Sequence, residues 1–288
     1  MKKLLACIDG SLYGQTCAQY ALWFAKKTGA QTAALYVSEL WQYEAPLVAD
    51  FGGSLGAQPY MGLTAQLRQV EADKATMLKE YLVRAFAQAD LAEHLAFFHR
   101  TGMLVDCIGE FESGDTPAEL LIVGKRGEAW NMAKDHLGSN MERVARATAL
   151  PCFVANREFF EPQKLLFAID GSASAAKAIA WYGANKTAFG DAELHVVSVA
   201  AKPAAAEKTA EVLREAAAAF EAFGTGCKPV FRALAGVPAD AISAYQQETG
   251  ANLLLMGAYG HSRIRRLFIG STTVELIQRN RVPVVLFR

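Results

Sequence analysis

The chain has 288 residues, of which 52% are hydrophobic and 20% are charged, and its formal net charge is zero. These values are typical of a globular protein and exclude a disordered or membrane-embedded chain. Because the charges balance, the composition does not favour nucleic acid or an anionic membrane as a partner. The length suits two domains of ~140 residues.

The cysteines and the start of the chain predict a cytoplasmic protein. The five cysteines show neither a CxxC pair nor the spacing of metal ligands, so we expect reduced, structural thiols and no metal site. The first apolar run ends at Ile8, which is too short for a signal peptide. No apolar stretch approaches the ~20 residues needed to cross a bilayer.

One signature occurs twice in the same order. Residues 3–11 read as an apolar strand ending in Ile-Asp-Gly-Ser, and residues 164–172 repeat that pattern. Each half closes with a strand, glycines on turns, a helix and an apolar run led by proline. The repetition indicates a tandem duplication, with domains over 1–155 and 163–288 and a linker over 155–163.

In chain order, the first half has a strand pattern at 33–37, a loop rich in aromatic residues at 41–61 and a long helix at about 64–88. The second half is clearer. Its strands are predicted at 165–169, 193–199, 229–234, 252–256 and 284–287. Its helices are predicted at 175–187, 207–223, 239–247 and 271–279.

Strands that alternate with helices imply right-handed βαβ units. The sequence therefore predicts an α/β fold with two tandem Rossmann-like domains. Each domain would be an open five-stranded parallel sheet with helices on both faces.

The glycines of the second half predict a phosphate site. Gly257 and Gly260 follow a predicted strand, and Gly270, Ser271 and Thr272 open a predicted helix. Glycines let backbone N–H groups approach a phosphate closely, and a helix N-terminus adds a favourable partial charge. The alternative is a purely structural role, in which these glycines only form tight turns between strands and helices.

Asp170 ends the first strand of the second half, on the same edge of the predicted sheet. A carboxylate at this place can accept the hydroxyls of a ribose. Neither the GxxxxGK[ST] loop nor a GxGxxG after the first strand is present, which disfavours P-loop enzymes and dehydrogenases.

These residues resemble the universal stress protein family, and the resemblance covers nearly the whole chain as two family domains in tandem. Nucleotide-binding members carry a glycine, two residues, a glycine, nine residues and a glycine with Ser or Thr. Gly257, Gly260, Gly270 and Ser271 match that spacing. The resemblance implies an adenine nucleotide alpha hydrolase-like fold.

The resemblance also implies a site for ATP or another adenine nucleotide, with an accompanying Mg²⁺ left open. Asp170 would contact the ribose, and the backbone of Val196 would contact the adenine. The phosphates would be held by Gly257, Gly260, Gly270, Ser271 and Thr272.

The first half departs from the family pattern. Its corresponding residues are Asp9, Val37, Gly124, Gly127, Gly138, Ser139 and Asn140. Ten residues rather than nine separate its second and third glycines, and Glu128 and Asp135 lie where phosphate would bind. These carboxylates disfavour a polyphosphate unless a metal or Lys125, Arg126 and Lys134 offset them. A weaker site, or one for another ligand, is expected here.

No residue pattern supports an efficient enzyme, since no general base accompanies a nucleophile, and we predict no catalytic residues. The favoured hypothesis is a regulatory, nucleotide-binding stress-response protein. One alternative is a slow ATPase or another nucleotide-processing enzyme. The other is a scaffold that binds no nucleotide and uses the joined domains or the 41–61 loop.

Each half ends in a short apolar strand, at 152–155 and 284–287. An exposed edge strand promotes association unless it is paired. The resemblance implies that such strands pair across a two-fold axis. We therefore expect the two last strands to pair within the chain, with a further homodimer left open.

Overall fold

The computed structural model describes residues 1–40, 58–113, 116–127, 139–224, 228–258 and 270–288. For residues 58–62 and 139 it describes only the backbone. The predicted site residues Gly138 and Gly260 lie outside the described residues.

The first half contains five strands in the described residues. They are β1 (Lys3–Cys7), β2 (Gln31–Ser38), β3 (Leu95–Thr101), β4 (Leu120–Gly124) and β5 (Cys152–Ala155). The helices of this half are α1 (Leu12–Thr28), α2 (Gln58–Ala87), α3 (Leu104–Glu112) and α4 (Ser139–Ala147).

The second half repeats this order. Its strands are β6 (Lys164–Ala168), β7 (Glu193–Ala200), β8 (Val230–Ala235), β9 (Leu253–Gly257) and β10 (Val284–Phe287). Its helices are α5 (Ala173–Asn185), α6 (Ala206–Ala222), α7 (Pro238–Thr249) and α8 (Ser271–Arg279).

Several boundaries differ from the sequence-based expectation by one or more residues, and two of these differences have a clear physical cause. Helix α2 begins at Gln58, inside the predicted loop, because Pro59 lies in the first turn, where a proline sacrifices no helical hydrogen bond. Ala155 is the last residue of β5 rather than part of the linker. The Val154–Ala155 end of β5 continues the pairing with β4, which keeps Ala155 in the sheet.

The strands of the described residues form one ten-stranded sheet with the order β3-β2-β1-β4-β5-β10-β9-β6-β7-β8. All neighbouring strands of the first half pair in parallel. The second half follows the same rule. The predicted pair of open five-stranded sheets is therefore confirmed.

The two halves meet at β5 and β10, which pair antiparallel with Phe153 opposite Val285. The expected pairing of the last strands is thus present in the structure, and it turns two sheets into one. Every residue of both strands is buried, since helices cover the sheet on each face.

Candidate functional site

The topology of each half places one crevice at the carboxyl ends of its strands. From β1 the chain moves outward to β2 and β3, and it then returns on the other side of β1 to form β4 and β5. Such a switch in direction opens a crevice between β1 and β4, where open α/β sheets bind ligands. The corresponding crevice of the second half lies between β6 and β9, which are paired neighbours.

The Asp-Gly-Ser turn enters this crevice in both halves. The amide of Ser172 donates to Asp170 Oδ1 at 3.0 Å, and the Ser172 hydroxyl accepts the amide of Ala175 at 3.3 Å. Ser172 therefore caps α5 while its own N–H fixes the carboxylate at the end of β6. In the first half, Ser11 caps α1 and its amide donates to Asp9 Oδ1 at 3.1 Å.

Gly257 allows the end of β9 to lie directly against the start of α5. A Cβ at this position would stand 2.5 Å from Ser174 Oγ. At Gly124 a Cβ would stand 2.8 Å from the Cβ of Tyr13, in the corresponding place of the first half. Close packing is therefore sufficient to explain the glycines at these two positions, as tight turns between strand and helix would require.

Gly127 has a different neighbour. A Cβ at Gly127 would lie 3.2 Å from Asp9 Oδ2, so this glycine backbone approaches the carboxylate that ends β1. The structure thus brings together Asp9 and the second glycine of the first half, as the sequence predicted.

The start of α8 lies against the end of β9. The amide of Gly270 donates to the carbonyl of Ala258 at 3.0 Å, and the Thr273 hydroxyl donates to the carbonyl of Gly257 at 3.4 Å. In the described residues no side chain caps the N–H groups at the start of α8. Ser271 is exposed and Thr272 is half-buried, so both are within reach of the crevice edge.

In the first half, Asn140 takes the place of Thr272 and makes a different contact. Asn140 Nδ2 donates to Glu39 Oε1 at 2.9 Å, just beyond the end of β2. The amide that was expected to hold phosphate is therefore bound to a carboxylate, which is a further departure from the second half. Of Ser139 the structure describes only the backbone, at the first position of α4.

Val196 does not lie at the crevice. It pairs with Phe167 and Phe231 in the middle of β7 and is completely buried. Because β2 begins at Gln31 and β7 at Glu193 in the same register, the counterpart of Val37 is Val199, three residues beyond Val196. The sequence assignment is therefore corrected from Val196 to Val199.

The backbone directions support this correction. The carbonyl of Leu35 accepts from β1 and the carbonyl of Val197 accepts from the end of β6. Because alternate residues of a strand face the same neighbour, Val37 and Val199 direct their backbone groups to the space beyond β1 and β6.

Lys125 also departs from expectation. Its ammonium donates to the carbonyl oxygens of Gln278 and Asn280, at 2.9 and 3.2 Å, across the junction between the halves. Lys125 therefore caps the C-terminus of α8, whereas Glu128 and Asp135, which it was expected to offset, lie outside the described residues. Burial, reinforced by the charge of Arg126, lowers the pKa of Lys125 to about 8.

The sequence did not predict a second cluster of polar side chains in the first half, in addition to the residues of the crevice. A pocket of about 360 Å³ lies between α2 and the ends of β2 and β3. We call it the β2–β3 pocket, and it is lined by Ser38, Leu40, Arg68, Glu71, His99 and Thr101. The sequence did contain a signal for this pocket, because alternate residues near the ends of β2 and β3 are polar. Only the strand register shows that these residues lie side by side.

Neither a metal site nor a membrane-spanning helix is found in the described residues. No group of three or more His, Cys, Asp or Glu side chains there is arranged to hold a metal ion. Within the same described ranges, no helix combines the length and apolarity required to cross a membrane.

The fold and the crevices define a tandem Rossmann-like α/β protein with a candidate ligand site in each half. The model of the universal stress protein family matches residues 1–156 and 162–288. The chain belongs to this family.

One curated relative supports this assignment, and two solved structures share the fold. A universal stress protein of Synechocystis sp. is 38% identical over the full length of both chains. A universal stress protein structure from Archaeoglobus fulgidus is similar, with 21% identity, a TM-score of 0.74 and coverage of 99% of this chain and 98% of that one. A structure from Pseudomonas aeruginosa covers 100% of this chain and 93% of its own, with 14% identity and a TM-score of 0.65.

Proposed function

We propose that this protein is a cytoplasmic stress-response protein that binds adenine nucleotide, mainly in the second of two domains, and acts by regulation rather than catalysis. The observation that carries the proposal is the start of α8, which lies against the end of β9 and receives no side-chain cap from the part of the chain that the structure describes. A helix N-terminus of this kind favours an anionic group.

The neighbouring residues complete a site of the right chemistry. Asp170 lies at the end of β6, beside the end of β9 against which α8 begins, and its carboxylate would accept ribose hydroxyls. Val199 would offer backbone donor and acceptor groups to the adenine. Ser271 and Thr272 would donate hydroxyl hydrogen bonds to phosphate oxygens, with Gly270 and Gly260 giving room for the backbone to approach.

The first domain would bind the same ligand more weakly. Glu39 already holds Asn140 there, and Lys125 supplies its charge to the opposite half. Two groups that would help to hold a polyphosphate, the Asn140 amide and the Lys125 ammonium, are therefore already bound elsewhere.

The test is Ser271→Glu, measured by calorimetric titration of the full chain with ADP and ATP. A carboxylate at the start of a helix is compatible with the fold but repels phosphate. We expect affinity to fall about tenfold or more, because like charges in contact are costly. Ser139→Glu, the matching change in the first half, should leave the tight site intact.

The stoichiometry of the unaltered chain provides a second criterion. One tight site per chain supports the proposal, whereas two equivalent ATP sites would contradict the difference between the halves. Mass spectrometry of small molecules released from the purified protein would identify the natural ligand. Turnover at saturating ATP would favour the ATPase hypothesis instead.

A further inference from the structure

The β2–β3 pocket is organised around the carboxylate of Glu71. The hydroxyls of Tyr36 and Ser38 and the ammonium of Lys74 all hydrogen-bond this carboxylate. Partial burial raises the pKa of Glu71, but these donors together hold it below its ordinary value. The pocket therefore contains a carboxylate that stays ionised and in a fixed position at neutral pH.

His99 is fixed by the same network. Its Nε2 lies 2.7 Å from Ser38 Oγ, and its ring packs against Tyr36 with centroids 5.3 Å apart. Because the Ser38 hydroxyl donates to Glu71, its oxygen accepts the N–H of His99 Nε2. That arrangement places a proton on Nε2, so this nitrogen does not act as a base toward Ser38. The network is suited to binding rather than to nucleophilic catalysis.

The second half shows that the fold does not need these polar groups. Through the strand register, Ser38 corresponds to Ala200, His99 to Ala233 and Thr101 to Ala235. The glycines that follow confirm the alignment, since Gly102 donates to the carbonyl of Ser38 and Gly236 to that of Ala200, both at 3.2 Å.

Three alanines thus replace three polar residues at the same strand ends. A network needed only for folding would be expected in both copies. The polar set therefore indicates a ligand requirement that belongs to the first half.

The β2–β3 pocket adjoins the first-half crevice at the end of β2. Ser38 directly follows Val37, whose backbone faces the space beyond β1. Glu71 and Arg68 are one turn apart on the same face of α2 and both line the pocket. The pocket thus has an acceptor-only carboxylate beside a donor-only guanidinium.

These groups match the edges of guanine. A carboxylate offers about four acceptor positions, and Tyr36, Ser38 and Lys74 already use three positions on Glu71. The remaining position accepts the N1–H of guanine, whereas it would oppose the lone pair at N1 of adenine. Arginine pairs with guanine O6 and N7 in a bidentate manner. Adenine has no carbonyl oxygen for the guanidinium, so the same pocket would discriminate against it.

We propose that the β2–β3 pocket makes the first half a guanine-nucleotide site, so that one chain binds two different purine nucleotides. This inference rests on the proposed nucleotide-binding function and assigns a separate base to the first crevice. Glu71 and Arg68 would be its specificity-determining residues, and Ser38 and His99 would position Glu71.

The experiment is calorimetric titration of the full-length Ser271→Glu chain, in which the second-half site is weakened, with GDP and with ADP. We expect GDP to bind at least about tenfold more tightly than ADP. Adding Glu71→Gln, which keeps an acceptor for Tyr36, should abolish that preference. Asp73→Asn is the matched control, because Asp73 is an exposed α2 carboxylate bonded to Gln69.

A second variant copies the other half. Changing Ser38, His99 and Thr101 together to alanine reproduces residues that the fold already accepts at 200, 233 and 235. It should also remove the preference for GDP. Equal affinity for GDP and ADP in the Ser271→Glu chain would overturn the inference, as would equal effects of Glu71→Gln and Asp73→Asn. Failure of the unaltered chain to bind ADP would instead refute the proposed function.

Discussion

At the scale of single residues, Gly257 shows how packing and ligand binding can both require the same residue type. The glycine follows four buried strand residues, and its backbone lies against Ser174 at the start of α5. A loss of nucleotide binding on substitution of Gly257 would therefore not by itself demonstrate a phosphate contact. Ser271 is the better probe, because its exposed side chain has no comparable packing role.

Gly257→Ala should lower the free energy of unfolding by about 1–3 kcal/mol in the absence of nucleotide, as overpacking does. The new Cβ would lie 2.5 Å from Ser174 Oγ but 3.1 Å from Ser174 Cβ. Adding Ser174→Ala should therefore recover part of the loss in a urea denaturation experiment. Gly109→Ala is the control, since no atom lies within 4 Å of a Cβ there. Equal effects at 257 and 109 would contradict the packing role.

The sequence predicted which residues form the strands, but it did not show which residue of each strand reaches the carboxyl edge of the sheet. The Asp-Gly-Ser turns and the glycines at 124 and 257 lie where their motifs predicted. Val196 was wrongly placed because an apolar run does not reveal which residue reaches the edge, and the register with β6 decides this. Lys125 was misjudged because its acceptors are more than 150 residues away in sequence.

At the scale of elements, the sequence predicted the strand and helix order because apolar runs, caps and glycines are local signals. Its boundaries failed at α2, where Pro59 was read as a loop residue. The sequence could not show that the last helices are capped by the opposite half. Lys125 and Asn156 both donate to the carbonyl of Asn280 after α8, and Arg288 donates to the carbonyl of Arg146 in α4.

Lys125→Met tests the capping of α8 through its pH dependence. The pKa of Lys125 is about 8 in the folded chain and 10.5 ordinarily, so between these values the unfolded chain binds more protons. This residue therefore makes the folded state more stable as pH rises from 8 towards 10.5. Other groups titrate there too, so the informative quantity is the stability difference between the unaltered chain and Lys125→Met.

We expect that difference to shift in favour of the unaltered chain between pH 7 and pH 10, as measured by urea denaturation. Arg126→Met is a useful comparison, because it removes the neighbouring charge that helps to lower the pKa of Lys125 and leaves the Lys125 side chain in place. A stability difference that is the same at both pH values would show that Lys125 does not titrate in the folded state as inferred.

At the scale of the whole molecule, the junction between the halves is a core rather than a surface contact. The β5–β10 pair is flanked by aromatic side chains from both halves, with Trp23 and Phe24 of α1 packing against Phe189 at centroid distances of 5.8 and 6.3 Å. The linker is bound to this core, because the Tyr20 hydroxyl donates to the carbonyl of Phe160 and accepts its amide. Separating the halves would expose all of these groups.

The second half expressed alone, as residues 163–288, should therefore dimerise or aggregate. Removal of β5 leaves β10 as an unpaired edge whose four residues are apolar and buried in the full chain. An edge of this kind pairs with another strand when it can, and the antiparallel geometry of β5 and β10 allows one β10 to pair with another across a two-fold axis. Light scattering coupled to size exclusion measures the mass directly. Co-expression with residues 1–155 is the matched control, because the native partner strand should replace the second copy and give a one-to-one complex. A soluble monomer of residues 163–288 at high concentration would refute the requirement for pairing.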